Sequence, residues 1–128
     1  MISRIDHFVI TVRSVEATCA FYTSCLDFER VDSEHGPTAL RFGQQKINVH
    51  QADRTFEPKA QRPTPGSADF CLIADVPLAD VMRRLAAHGV TVEVGPVDRE
   101  GALGRMRSVY FRDPDGNLVE VSSYESSR

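Results

Sequence analysis

The chain has 128 residues, of which 41% are hydrophobic and 26% charged, and its formal net charge is -3. These values are typical of one globular domain, and the acidic balance provides no basic surface for a nucleic acid. No apolar run approaches membrane-spanning length, and Arg4 and Asp6 interrupt the segment in which a secretory signal needs an apolar core. The three cysteines lack a C-x-x-C spacing. We therefore expect a soluble cytoplasmic protein without a disulfide framework or a structural zinc site.

The first half of the chain predicts one strand, one helix and three further strands. From Ile5 the sequence alternates with period two, which indicates a strand that carries His7 on one face. Ser14 is a suitable helix N-cap, and apolar residues at helical spacing predict a helix over 15–26. Turn residues separate three short runs that are typical of strands. These runs are residues 28–33, 38–43 and 46–51.

The second half repeats this order of elements. It predicts a strand at 68–75 and then a helix with Pro77 in its first turn and Gly89 as its stop. Three further strands are predicted at 90–95, 107–113 and 117–124. The pattern β-α-β-β-β, written twice, predicts an α+β fold in which the two modules pack together. Module one covers about residues 4–52, the linker 53–66 and module two 67–124.

A tight turn near the C-terminus presents a carboxylate on the strand that follows it. Asp113 to Asn117 has proline and glycine where a turn between antiparallel strands favours them. Glu120 follows among apolar neighbours, so its carboxylate lies on a wet face or is committed to a partner. A calcium-loop interpretation is rejected, because that loop needs glycine at Leu118 and glutamate at Tyr124.

Three stretches together resemble the vicinal oxygen chelate superfamily, which includes glyoxalase-type lyases, fosfomycin-resistance enzymes, bleomycin-binding proteins and extradiol dioxygenases. "IDHFVITVRSVEATCAFYTSCLDFE" resembles the superfamily's opening strand and helix, and "YFRDPDGNLVEV" resembles its closing hairpin. The segment "FGQQKINVHQ...FEPKA...RPTPGSADFCLI" is similar to a subgroup of glyoxalase-domain or virulence-associated proteins. The resemblance covers about residues 4–124. It implies paired modules that form a curved mixed-sheet cup around a divalent metal ion.

The resemblance assigns metal ligands to particular positions. His7 matches the family's first-strand histidine ligand, and Glu120 matches its last-strand glutamate ligand. Asp69 stands where many members carry a histidine ligand, and Asn48 where glyoxalase-type members carry a glutamate. His50 lies two residues after Asn48 and therefore on the same strand face. His50 and Asp69 are therefore the candidates for further ligands, and the expected ligand count is three or four.

The candidate ligand sets favour different chemistry. A set of His7, His50 and Glu120 suits manganese, iron, nickel or zinc and leaves coordination positions open. With Asp69 instead of His50, the set is richer in oxygen. A glyoxalase-like isomerisation also needs a base, and Asp69 is the candidate catalytic residue because Asn48 replaces the usual glutamate.

The function implied by the resemblance is metal-assisted chemistry on a small molecule with two adjacent oxygens. The expected reaction is that of a lyase or isomerase, a thiol-adding enzyme or an extradiol-type dioxygenase. Asn48, Ser108 and Tyr110 are the expected substrate contacts, and the resemblance implies a homodimer. The stretch 95–107 can supply a mobile flap in which Arg99, Arg105 and Arg107 contact an anion, and the alternative is that these arginines are exposed loop cations. The alternative is a metal-free binding protein for a drug-like compound, as in bleomycin-binding members.

Overall fold

The computed structural model describes residues 1–124, which form ten elements of secondary structure. In chain order they are β1 (His7–Val12), α1 (Val15–Leu26), β2 (Glu29–Val31), β3 (Thr38–Phe42), β4 (Gln45–Gln51), β5 (Asp69–Ile73), α2 (Leu78–Ala87), β6 (Val94–Gly101), β7 (Gly104–Arg112) and β8 (Leu118–Ser123). The strands form two four-stranded mixed sheets, with orders β1-β4-β3-β2 and β5-β8-β7-β6. The predicted α+β fold of two β-α-β-β-β modules is confirmed.

The chain folds as two compact units that divide close to the predicted linker. The first contains Met1–Ser67 and also Pro114–Gly116 from the tight turn, and the described part of the second contains Ala68–Asp113 and residues 117–124. In each unit the first strand pairs in parallel with the last strand, and the remaining pairs are antiparallel. Within residues 1–124, no helix has both the length and the apolar character that a membrane crossing requires.

The first unit packs α1 against one face of its sheet. The Ser14 side chain accepts a hydrogen bond from the backbone N–H of Ala17 at 3.1 Å, which caps the helix. The helix buries Cys19 and Tyr22, and the Tyr22 ring lies 5.4 Å from that of Phe28. The sheet contributes buried apolar residues from the matching face of three strands: Ile10, Val12, Leu40, Ile47 and Val49. The opposite face of this sheet is therefore available for polar side chains.

The second unit uses the same arrangement with α2. The helix buries Leu78, Val81 and Leu85. It contacts β7 and β8, whose buried residues on the alternate positions are Val109, Phe111, Val119 and Val121. Gly89 has a φ of 73° and ends the helix as predicted. As in the first unit, α2 and its buried partners occupy one side of the sheet.

Two predictions in the second half are wrong in their boundaries. The strand predicted at 90–95 begins at Val94 and continues to Gly101, and the next strand begins at Gly104 rather than at residue 107. Residues 95–107, for which a flap was the expectation, therefore lie in a β6–β7 hairpin. The sequence signal was misleading because β6 is a largely exposed edge strand, with charged residues where burial would otherwise produce an apolar alternation.

Candidate metal and substrate site

The face of the first sheet opposite α1 carries three of the predicted site residues. In the parallel ladder of β1 and β4, Val9 lies opposite Asn48 and Thr11 lies opposite His50. Side chains alternate along each strand, and paired residues project to the same side. His7, Asn48 and His50 therefore share the face that points away from α1.

His7 is held by its neighbour in sequence. Nδ1 of the imidazole lies 2.8 Å from Oδ2 of Asp6, and 44% of the His7 side chain is exposed. This hydrogen bond from His7 holds the pKa of the Asp6 carboxyl below its usual value. The tautomer that donates from Nδ1 leaves the Nε2 lone pair free to bind a cation. A carboxylate that orients an imidazole in this way is common behind metal-bound histidines.

His50 differs from His7 in its surroundings. Only 3% of the residue is exposed, and the ring lies edge-on to Phe56 with 5.4 Å between the centroids. Burial lowers the pKa of His50, and the positive charge of Lys59 lowers it further. We therefore expect a neutral imidazole at pH 7.

Two buried polar atoms on this face have unmet hydrogen-bonding capacity. Among residues 1–124 no partner lies within hydrogen-bond distance of Nδ1 of His50 or of Oδ1 of Asn48. Leaving such an atom unsatisfied costs about 1–3 kcal/mol. Buried polar atoms without partners are rare in native proteins, so these two atoms call for an explanation.

The ladder separates the two imidazoles. His7 lies opposite Lys46, four residues before His50, so the two Cα atoms are roughly 14 Å apart. The corresponding diagonal from His7 to Asn48 is about 8 Å. Side chains stand nearly perpendicular to a sheet, and metal–nitrogen bonds are about 2 Å long, so this register disfavours one ion shared by both rings.

The face of the second sheet opposite α2 holds Glu120 in a chain of hydrogen bonds. Ser122 Oγ donates to Oε2 of Glu120 at 3.3 Å and lies 2.6 Å from Ser108 Oγ and 3.2 Å from Cys71 Sγ. Ser108 and Ser122 are fully buried. Burial raises the pKa of the Cys71 thiol, which therefore stays protonated and can donate to Ser122. The Ser122 hydroxyl thus restrains the Glu120 carboxylate through one of its two oxygens.

The other predicted residues of this unit surround Glu120. Cys71 and Tyr110 are its ladder partners on either side, and Asp69 lies two residues before Cys71 on the same face. Asp69 is exposed, and its Cα lies about 8 Å from that of Glu120. Tyr110 accepts a hydrogen bond from Nε of Arg99 at 2.9 Å. Asp69, Ser108, Tyr110 and Glu120 are thus brought to one surface of the sheet.

The three arginines predicted as anion contacts do not act together. Arg99 lies opposite Met106 and shares the face of Tyr110, whereas Arg105 and Arg107 project from the other face of β7. Arg107 instead pairs with Asp98 at 3.1 Å. Arg99 is therefore the member of this group that lies near the candidate site residues of the second unit.

The two units repeat the ladder as well as the element order. His7 lies opposite Lys46 in one sheet, and Asp69 opposite Leu118 in the other. Counting from these pairs, Asn48 is equivalent to Glu120 and His50 is equivalent to Ser122. Sequence reasoning missed the equivalence with Ser122 and the supporting roles of Asp6 and Cys71, because pairing between distant strands sets these relationships.

The candidate metal ligands do not form a preassembled cluster. In the part of the chain from residue 1 to 124, no group of three or more His, Cys, Asp or Glu side chains is placed to hold a metal ion. Each sheet face instead supplies part of the predicted set. His7 lies on the first, while Asp69 and Glu120 lie on the second.

Two curated relatives match nearly all of the chain. Virulence protein STM3117 from Salmonella typhimurium is 50% identical over 124 residues, which cover 97% of this chain and 86% of the relative. Its crystal structure superposes with a TM-score of 0.94, covering 97% of this chain and 98% of that one. Glyoxalase domain-containing protein RDO1 from Mycosarcoma maydis is 47% identical over 97% of this chain and 70% of its own length.

More distant structures share the fold. Lactoylglutathione lyase from Agrobacterium tumefaciens has a TM-score of 0.74 at 24% identity, covering 98% of this chain and 96% of that one. The family model for the Glyoxalase/Bleomycin resistance protein/Dioxygenase superfamily matches residues 4–121. This match spans both repeated modules and every candidate site residue, and the chain belongs to that superfamily.

Proposed function

We propose that this chain is a divalent-metal-dependent enzyme that acts on a small molecule with two adjacent oxygens. The observation that supports this proposal is that each of two potential metal ligands is oriented by a hydrogen bond with a neighbouring side chain. Asp6 holds the His7 ring through Nδ1, and Ser122 holds the carboxylate of Glu120. Oriented ligands with outer hydrogen-bond partners are what a metal site requires.

His7 and Glu120 are the proposed principal ligands, and Asp69 is favoured over His50 as the third. Asp69 lies on the same face as Glu120 at about 8 Å between Cα atoms, whereas His50 lies roughly 14 Å from His7. One ion held in this way requires both sheet faces to contribute, from one chain or from two chains of the proposed homodimer. One imidazole and two carboxylates suit manganese, iron, nickel or zinc.

The bound metal would supply Lewis acidity, stabilising negative charge on two adjacent substrate oxygens. The chain's own residues would position the substrate. Tyr110 and Arg99 form a polar pair beside Glu120 that can contact a substrate oxygen. Ser108 is buried with its hydroxyl near Ser122, which favours a supporting role over direct substrate contact. Asp69, if it is not a ligand, remains the candidate base.

Metal content of protein purified without chelator tests the proposal. We expect close to one equivalent of a transition metal, and thermal stabilisation when manganese, iron, nickel or zinc is added to the stripped protein. His7→Ala and Glu120→Ala should each abolish this stabilisation. His35→Ala is the matched control, because the side chain of His35 is 90% exposed and pairs with Glu34. Less than about a tenth of an equivalent, together with no stabilisation by any of these metals, would contradict the proposal.

A metal-free binding protein is the second candidate function. It is favoured by the lack of a preassembled ligand cluster in residues 1–124. The same fold also occurs in TnmS3, an antibiotic binding protein from Streptomyces, at a TM-score of 0.74 and 22% identity. Ligand-induced stabilisation that persists in chelator and in both His7→Ala and Glu120→Ala would support this candidate over the enzyme.

A further inference from the structure

We infer that Asn48 and His50 form a receptor for a neutral hydroxyl group on a ligand with an apolar body. This inference names a substrate class for the proposed small-molecule function and rests on that function, but it needs no metal. Its basis is the pair of buried atoms, Oδ1 of Asn48 and Nδ1 of His50, that lack partners within residues 1–124. Both belong to one strand and point to one sheet face.

The internal repeat offers one comparison for these two positions. In the second unit the equivalent residues satisfy each other, because Ser122 donates to Glu120 at 3.3 Å. In the first unit Asn48 and His50 stand at the same ladder positions without a hydrogen bond to residues 1–124 at these two atoms. The two atoms are therefore placed to bind a partner that is not among residues 1–124, and we infer that this partner is a ligand.

The neighbours of Asn48 and His50 indicate which chemical group can bind to both side chains. Asn48 lies between Val9 and Ala39 in the ladders, which are apolar neighbours. A bare carboxylate has no proton to donate to Oδ1 of Asn48, and Lys59 near His50 disfavours a cation. A hydroxyl group both donates and accepts, so it can satisfy the amide oxygen and the imidazole nitrogen together.

Phe56 indicates that the ligand has an apolar body. Its ring lies edge-on to His50 at 5.4 Å, and 39% of the residue is exposed. Phe56 belongs to the irregular segment between β4 and β5 and is the aromatic contact of the His50 ring. An aromatic ligand can exchange this contact for its own as Phe56 turns aside.

Nuclear magnetic resonance of the full chain in chelator tests the inference with three probes of similar size. Phenol should shift the ring nitrogens of His50 and the side-chain amide of Asn48, and should bind about tenfold more tightly than toluene. Benzoate should bind no better than toluene. The chain has four histidines, so the imidazole signals can be resolved and assigned. Equal binding of phenol and toluene, or tighter binding of benzoate than phenol, would overturn the inference, and neither comparison depends on a variant.

Variants separate this inference from the proposed metal function. Asn48→Leu and His50→Phe should each remove the preference for phenol over toluene, whereas Lys46→Leu, on the same strand face, should retain it. A preference that survives both Asn48→Leu and His50→Phe counts against the receptor. Zinc added to chelator-free protein should shift His7 and leave His50 unchanged. A zinc-induced shift of His50 nitrogens identifies it as a ligand and overturns the receptor, whereas zinc that shifts no histidine contradicts only the metal function.

Discussion

Ser122 and Glu120 lie two residues apart on β8, and the Ser122 hydroxyl donates to Oε2 of the Glu120 carboxylate at 3.3 Å. Ser122 is fully buried, while Glu120 is partly exposed on the same face. Ser108 and Cys71 approach the same hydroxyl from the two neighbouring strands. Ser122 has one hydroxyl proton, which it donates to the Glu120 carboxylate, and its oxygen can accept hydrogen bonds from Ser108 and Cys71 at the same time.

Ser122→Ala should therefore weaken metal binding without removing a ligand. Outer-shell substitutions cost about 10–100-fold in metal affinity, and we expect a dissociation constant at least about tenfold higher. Ser122→Thr restores the hydroxyl and should recover much of the affinity. Titration calorimetry with manganese or zinc measures both variants, with Ser33→Ala in the first unit as the control. An unchanged dissociation constant in Ser122→Ala would show that the hydroxyl does not position the ligand.

Asp6 should have the same role for His7. Asp6→Ala removes the acceptor at 2.8 Å that orients the ring, and we expect metal affinity to fall by about tenfold. The melting temperature of the metal-free protein should hardly change, because Asp6 is exposed. Glu34→Ala is the control, since it also removes a carboxylate paired with a neighbouring exposed histidine. If both substitutions affect metal affinity equally, the Asp6 interaction has no special part in binding.

The sequence predicts the elements that local chemistry determines. Helix α1 has the predicted bounds because Ser14 caps its start and apolar residues follow at helical spacing. The turn from Asp113 to Asn117 joins β7 and β8 as predicted, and Gly116 has a φ of 87°. Such features depend on residues close together in the chain.

Relations between distant strands were not accessible to the same reasoning. The alternation of Asn48 and His50 gives their shared face, but the pairing of β1 with β4 decides which of them lies closer to His7. The contact of Ser122 with Ser108 and Cys71 likewise depends on three strands meeting in one register. Strand β6 was misplaced because it is exposed, and its position follows from pairing with β7.

Acid should destabilise the fold through His50 before the carboxylates titrate. Burial lowers the pKa of His50 in the folded state below 6.5, so the unfolded state binds more protons as the pH falls through that value. The part of the free energy of unfolding that depends on a neutral His50 is fully present above pH 6.5. It is lost as the pH falls toward the pKa of His50 in the folded state. We expect a lower urea midpoint at pH 5 than at pH 7.5.

His50→Gln should reduce this difference between the two urea midpoints, because glutamine does not titrate. His35→Gln should leave the difference unchanged, since the His35 side chain is 90% exposed. The measurement uses metal-free protein in chelator, so that loss of a bound ion does not contribute. A pH dependence in His50→Gln equal to that of the unmodified chain would assign the effect to other groups.

Gly95 and Gly104 provide a matched test of how the β6–β7 hairpin supports the polar network. Both have positive φ values, 112° and 127°, so alanine is strained at either position. A Cβ at Gly104 would meet nothing within 4 Å among the described residues, whereas a Cβ at Gly95 would collide with the carbonyl oxygen of Ser108 and lie 3.0 Å from Cα of Val109.

Gly104→Ala should cost about 1–3 kcal/mol in the free energy of unfolding, and Gly95→Ala should cost more. Because the collision falls on the backbone of Ser108, Gly95→Ala should also weaken metal binding, which Gly104→Ala should spare. Urea unfolding and calorimetry measure the two effects, and equal losses in both variants would show that contact with Ser108 does not restrict this position.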